Sequence, residues 1–292
     1  MSSFKKWITI FRLHTLSASY IPVIFGTMYA YYRKEVFDVK LFAAMLISSV
    51  LIQMATNLFN DFFDYRRGID NKESVGKSTA LITGDVSPGL IITLALAFVA
   101  SAGLLGLYII MQTSLVIAIV GGISILAGFM YSAGPKPISG TPFGEIFAGF
   151  FMGTVIIGIS YFIQTGIYGT DIFFVSLPFA LLIGAILTAN NIRDIEEDTE
   201  GGRKTLAILL GKEKAITFLR ITSWMAFLII PVLIYLKWLP IFSLIVFVSS
   251  WKIERAVKIF KNNTTPKTMG PGMGLIAKNN AHFGILMILS LL

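Results

Sequence analysis

The stretch LFAAMLISSVLIQMATNLFNDFFDYRRGID, residues 41–70, decides how the rest of the chain is read. Its first twenty residues carry no charge, and roughly that many apolar residues carry a helix across a bilayer. Charge then arrives all at once, in Asp61, Asp64, Arg66, Arg67 and Asp70. This is a helix that spans lipid and meets water at an acidic end. Composition says the same of the whole chain. Hydrophobic residues make up 55% and charged residues 14%, against about a quarter charged in soluble domains, and the mean hydropathy is +0.77. There is no polar coat for water, so the lipid bilayer is the partner of most of the surface. The absence of cysteine excludes disulfides, thiolate metal sites and a cysteine nucleophile.

Other apolar runs lie near 16–32, 89–110, 114–132, 146–163, 172–190, 216–236, 238–257 and 279–292. With the run at 41–60 they predict an all-α polytopic membrane protein of about nine transmembrane helices, one domain over residues 1–292. The N-terminus carries Lys5, Lys6 and Arg12, but no small-residue cleavage site follows and Pro22 interrupts the run, so it reads as a retained first helix rather than a signal peptide. Nine spans with the N-terminus inside put twenty of the 24 Lys and Arg residues on the inner side and leave Arg33, Lys34, Lys40 and Lys237 outside. That is the positive-inside bias of a membrane protein; it accounts for the net charge of +8 without nucleic acid. The inner loops, about 61–88 and 191–215, are long and charged, and long loops in compact proteins tend to be functional. Function is therefore expected at the cytoplasmic face of the cell (inner) membrane.

Ten of the 16 acidic residues fall in or just beyond two short stretches. The first runs from Asn57 through Asn60, Asp61 and Asp64 to Asp70, with Glu73 and Asp85 beyond; the second holds Asn190, Asn191, Arg193, Asp194 and Asp198. Asp64 and Asp198 each follow a span and lie 134 residues apart, which suggests pseudo-two-fold four-helix halves. Asn60 and Asp64 are separated by four residues, as are Asn190, Asp194 and Asp198, so each set is expected to stack on one helix face. Two such ladders facing each other offer hard oxygen ligands, and Mg²⁺ favours one or two carboxylates completed by water and phosphate oxygens. Arg66, Arg67, Lys72, Lys77, Arg193, Arg203 and Lys204 lie close enough in sequence to neutralise a diphosphate. Carboxylates held at the edge of a membrane bundle call for a reason, and cation binding supplies one. His14 and His282, the only histidines, read as helix-end residues rather than bases.

These motifs resemble the UbiA superfamily of intramembrane aromatic prenyltransferases over nearly the whole chain. Asn60-Asp61-x-x-Asp64 is similar to the family's first signature and Asp194-x-x-x-Asp198 to its second. Arg12-x-x-Thr15 with Pro22 and Gly26, Tyr131-x-x-Gly134-Pro135-x-Pro137 with Gly144-Glu145, and Gly202-Arg203-Lys204-Thr205-Leu206 resemble the 1,4-dihydroxy-2-naphthoate branch, the MenA type. Gly68 stands where the general pattern has another Asp, which leaves Asp70 for that role, and Leu81 to Asp85 offers no basic residue, which leaves Lys77.

The resemblance implies a polyprenyl diphosphate donor, a 1,4-dihydroxy-2-naphthoate acceptor, loss of CO₂ and pyrophosphate, and a demethylmenaquinol product in menaquinone biosynthesis. It implies Mg²⁺ held by Asn60, Asp61, Asp64, Asp70, Asp194 and Asp198, with Arg12, Asn57, Tyr65, Tyr131, Asn190 and Asn191 around acceptor and prenyl chain. Phe59 and Phe63, with Tyr65 and Tyr131, are candidates to shield an allylic cation. Rival readings are a superfamily member with another acceptor, such as 4-hydroxybenzoate, and a cation-coupled transporter. The transporter is disfavoured because no span carries a carboxylate deep in the lipid. Nothing in the sequence sets an oligomeric state.

Overall fold

The computed structural model describes residues 3–68, 80–134 and 136–292; Asp70, Lys72, Lys77 and Pro135 lie outside them. Among the described residues every regular element is helical, as a bilayer demands when backbone groups have no water to bond. The helices are α1 (Ser3–Ile10), α2 (Ser17–Lys34), α3 (Val39–Arg67), α4 (Pro88–Gln112), α5 (Val116–Ser132), α6 (Gly144–Thr165), α7 (Thr170–Arg193), α8 (Ile195–Glu200), α9 (Leu206–Leu210), α10 (Lys212–Tyr235), α11 (Trp251–Asn262) and α12 (Pro266–Ser290). Short 3₁₀ stretches occupy Leu13–Thr15, Ile138–Gly140 and Ile241–Ser249. Local chemistry sets the ends. Asp38, Ser87 and Thr265 cap α3, α4 and α12 through their side-chain oxygens, with Pro88 and Pro266 at the first position of the last two. Gly68 and Gly166 close α3 and α6 in the left-handed conformation.

Five helices, α3, α4, α6, α7 and α10, are long and apolar enough to cross a membrane, and α5 is a shorter apolar helix. The chain is thus a multi-pass membrane protein, but the count of nine is not met by length and hydropathy. The run expected at 238–257 is not one helix. Pro240 leads into the 3₁₀ stretch, and α11 buries Ile253, Ala256, Val257 and Phe260 while Arg255, Lys258 and Lys261 face outward, the pattern of a helix lying along an interface. The last span, expected to start at 279, begins at Pro266 and takes in residues read as an inner loop. Gly270, Pro271, Gly272 and Gly274 look like breakers, yet a Cβ on Gly272 would lie only 3.2 Å from Ile259 and Phe260 side-chain atoms, so close packing on α11 carries the helix through.

The main core joins α2, α6, α7, α10 and α12 around Phe25, Tyr29, Phe179, Phe227 and Phe283. Small residues let these backbones touch, the usual device where lipid offers no hydrophobic drive. The middle of α6, Gly149–Val155, is a π-helix, a wider turn often found near functional sites. A Cβ on Gly149 or Gly153 would lie 2.4 or 2.6 Å from backbone atoms of Ala180 in α7. One end of the bundle is closed by Tyr29, whose hydroxyl donates to Asp171 and to the Trp238 carbonyl, each at 3.2 Å, and by Arg33, 3.4 Å from Asp171. Both acidic motifs lie at the other end.

Gly153→Leu is expected to destabilise the protein by about 1–3 kcal/mol, read as a lower thermal midpoint in detergent. Gly103→Leu, where a Cβ meets nothing within 4 Å, is expected to leave that midpoint unchanged.

Candidate active site

α3 runs past the apolar span to Arg67, which carries Asn57, Asn60, Asp61 and Asp64 to the end of the bundle on continuous helix. The segment after α1 folds against it. Asn57 donates from Nδ2 to the Phe11 carbonyl (3.3 Å) and to Thr15 Oγ1 (3.1 Å). Arg12, in a left-handed conformation at φ 48°, extends its guanidinium to Asn60 Oδ1 at 3.3 Å and to the Asp61 carboxylate. Arg67 donates to the carbonyls of Ser132 (2.7 Å) and Gly134 (2.8 Å) and lies 3.5 Å from Asp64.

The second motif does not form the expected continuous ladder. α7 ends at Arg193, Asp194 leaves helical geometry at φ −103° and ψ 16°, and Asp198 belongs to the separate helix α8. The break has a local cause. Arg193 folds back on its neighbour, with Nε and Nη2 each 2.6 Å from an Asp194 oxygen, and also donates to Asn190 Oδ1 at 2.8 Å. α8 then starts afresh with Glu196, Glu197 and Asp198 in its first turn, where acidic residues suit the helix dipole. After Gly202, at φ 72°, the chain turns so that Arg203 N donates to the Asp198 carbonyl (2.9 Å) and Lys204 N to the Gly140 carbonyl (2.8 Å).

That turn delivers the Arg203 side chain between the two motifs. Its Nη2 is 2.6 Å from Asp64 Oδ1 and its Nη1 is 2.8 Å from Asp198 Oδ1. Both carboxylates are buried. Burial alone would lower the pKa of the guanidinium, but the charges of Asp64 and Asp198 and their hydrogen bonds outweigh it and hold it above the ordinary arginine value. The oxygens of two helix ends thus meet within the span of one cation. Asp64 Oδ2 is buried and has no hydrogen-bond partner among the described residues, an acceptor aimed where a further cation fits. Among those residues no three His, Cys, Asp or Glu side chains gather into a protein-only metal cage. A divalent ion here would be completed by water and ligand oxygens, as suits Mg²⁺.

A cavity of about 550 Å³ opens from this cluster into the helices. Arg12, Asn60, Asp64, Tyr131, Asn191 and Arg203 line its polar end; Ile109, Ile117, Phe151, Ile156 and Ile159 line its apolar length. Along α3 the lining runs from Met45 to Asp64, about 28 Å of helix at roughly 1.5 Å per residue.

A sequence model of the UbiA prenyltransferase family matches residues 19–269. The chain belongs to the UbiA prenyltransferase family. It is 44% identical over 281 residues to a 1,4-dihydroxy-2-naphthoate octaprenyltransferase of Bacillus subtilis (strain 168), covering 96% of this chain and 90% of that one. The fold matches the apo structure of a UbiA homolog from Aeropyrum pernix K1, with a TM-score of 0.71, 15% identity and coverage of 96% and 98% of the two chains. It also matches a UbiA homolog from Archaeoglobus fulgidus bound to GPP and Mg²⁺, with a TM-score of 0.65, 15% identity and coverage of 97% and 99%.

In this UbiA chain the expected site residues separate into groups. Asp64, Asp198 and Arg203 come together, and Asp64, Arg203, Asn57, Asn60, Tyr131, Asn190, Asn191 and Arg12 line one cavity. Asp61 pairs with Arg12 and Asp194 with Arg193; neither lines the cavity, and Asp198 meets it only through Arg203. Tyr65, Arg66 and Lys204 are exposed, with Arg66 stacked over the Phe62 ring. Phe59 and Phe63 pack on Phe129; the rings that line the cavity besides Tyr131 are Phe147 and Phe151. The sequence reading missed these two because they sit within an unbroken apolar run. It also left the Glu145 carboxylate without a role, although Gly144-Glu145 stood in a quoted motif.

Arg203→Met leaves two buried carboxylates facing each other without their shared cation. It is expected to cost about 3–5 kcal/mol, seen as a lower thermal midpoint in detergent, and Asp198→Asn in the same chain is expected to recover part of the loss.

Proposed function

We propose that this UbiA enzyme transfers a polyprenyl group from its diphosphate to 1,4-dihydroxy-2-naphthoate, releasing CO₂ and pyrophosphate and giving a demethylmenaquinol. The observation that carries the reading is a single cavity joining the Asp64–Arg203–Asp198 cluster to a long apolar bore. Such a cavity suits a molecule with a diphosphate head and a hydrocarbon tail. The acceptor follows from the Bacillus subtilis relative, and the donor class and Mg²⁺ accord with the GPP- and Mg²⁺-bound Archaeoglobus fulgidus homolog.

In this reading Asn60, Asp64 and Asp198 would hold the divalent ion, whose charge would stabilise the leaving pyrophosphate. Asp61 and Asp194 act one step back, by fixing Arg12 and Arg193. Arg203 and Arg12 meet the oxygens of the diphosphate. As the bond between the allylic carbon and oxygen breaks, Tyr131, Phe147 and Phe151 surround the electron-poor carbon with ring faces and exclude water. The electron-rich naphthoate ring attacks that carbon, and its carboxylate departs as CO₂. No proton is lost overall, because CO₂ leaves in place of a ring proton. The inner-side bias of Lys and Arg supports a cytoplasmic location for the site and the N-terminus at the cell membrane. A transporter would carry its carboxylates near the midplane; here they stand at the helix ends.

Purified protein is expected to prenylate dihydroxynaphthoate in the presence of Mg²⁺, to stop when the metal is chelated, and to leave 4-hydroxybenzoate unchanged. Asp64→Asn and Asp198→Asn are each expected to lower turnover at least about a hundredfold, as fits the several kcal/mol that a metal's charge supplies. Full activity in either variant, measured by product mass, would refute the assignment.

A further inference from the structure

Glu145 has no part in the chemistry above, yet it is a buried carboxyl, 4% exposed, beside the cavity. Its placement is built in. Gly184 lets α7 approach the Glu145 carbonyl, with a Cβ position 3.1 Å from that oxygen, and Gly144 meets Leu187 in the same way at 3.4 Å. Two turns beyond Gly184, on the same face of α7, stands Asn191. Its Nδ2 donates to Glu145 Oε1 at 2.9 Å in a buried hydrogen bond. Asn191 also lines the cavity. A carboxylate only accepts hydrogen bonds, so it takes the amide's NH₂ end and leaves the carbonyl end for the cavity.

We propose that Glu145 is a positioning residue that locks the Asn191 amide, so that the cavity wall presents Asn191 Oδ1 as an acceptor for a hydroxyl of the aromatic substrate. The inference rests on the proposed acceptor and adds which of its groups is read. In 1,4-dihydroxy-2-naphthoate the 1-hydroxyl is adjacent to the carboxylate and bonds to it internally. The 4-hydroxyl is the free donor, so it is the group that Asn191 selects. Glutamine at position 145 can either accept or donate, so it holds the amide in no single orientation.

The test is equilibrium binding to purified protein, followed by naphthoate fluorescence. It compares 1,4-dihydroxy-2-naphthoate with 1-hydroxy-2-naphthoate, which lacks the 4-hydroxyl. Wild type is expected to bind the latter about tenfold more weakly, the worth of one neutral hydrogen bond at the upper end of its range. Asn191→Leu is expected to abolish the difference and, by leaving the buried Glu145 carboxyl without its partner, to lower the thermal midpoint; Glu145→Gln is expected to shrink the difference to about threefold while its thermal midpoint and its KM for prenyl diphosphate stay at wild-type values. Glu145→Met, which offers the amide no partner, is expected to behave like Asn191→Leu. Equal binding of the two naphthoates by wild type, or full discrimination retained in folded Glu145→Gln and Glu145→Met, would overturn the proposal. Failure of wild type to prenylate dihydroxynaphthoate would instead count against the acceptor assignment, and is scored separately by product mass.

Discussion

One guanidinium holds the two halves of this site together. Taking an ion from water into a low-dielectric interior costs several kcal/mol even after relaxation, and Asp64 and Asp198 are both buried. Neither carboxylate is tolerable there alone, and side by side they repel. Arg203 resolves both problems with two bonds, 2.6 and 2.8 Å long. Much of the surrounding loop structure serves that placement. The turn at Gly202, the bond from Arg203 N to the Asp198 carbonyl and the bond from Lys204 N to the Gly140 carbonyl hold the Gly202–Leu206 segment against Asp198 and Gly140. Arg67 ties the end of α3 to the carbonyls of Ser132 and Gly134. Residues scattered over some 140 positions of sequence thus converge through charge neutralisation.

The opposite requirement shapes the rest of the cavity. An isoprenoid chain needs a bore without hydrogen-bonding demands, and α3, α4 and α5 provide one lined by Ile109, Ile110, Ile117 and Ile125. Glycines on the cavity side, such as Gly103 and Gly121, add no side chain to it. The tight glycine contacts lie elsewhere, where Gly26 meets the Ile157 carbonyl and Gly153 meets Ala180. Close packing in one half of the bundle therefore frames an open volume in the other, and the π-helical stretch of α6 lies between them, with Phe151 and Val155 on the cavity wall.

Sequence carried the parts of this picture that rest on short-range periodicity. Apolar runs mark seven helices, α2 to α7 and α10, and the four-residue step from Asn60 to Asp64 survives because α3 is unbroken there. The same step from Asn190 to Asp198 misled, since nothing in the spacing shows that Arg193 will close on Asp194 and end the helix. The apolar run near 279–292 covers only the second half of α12; its first half, with three glycines and Pro271, is held helical by packing on α11. In sequence Arg203 is one of seven basic residues of equal standing; only the fold shows that it reaches both motifs while Arg66 and Lys204 face outward. Asn191 was visible, but the carboxylate that orients it comes from a helix 46 residues earlier in the chain. Side-chain pairing across helices is a property of three-dimensional placement.

Charge also explains why a diphosphate needs company in this cavity. Among the described residues Asp61, Asp64, Asp194 and Asp198 are matched by Arg12, Arg67, Arg203 and Arg193, and the Glu145 carboxyl has an amide for its partner. The polar end is therefore close to neutral before any substrate arrives. A prenyl diphosphate, with about three negative charges, would enter a buried space where the described residues pair their cations with carboxylates, at a cost that low dielectric magnifies. In the proposed function a divalent cation arriving with it would offset that cost, and Asp64 Oδ2, without a hydrogen-bond partner among the described residues, would be an oxygen to hold it.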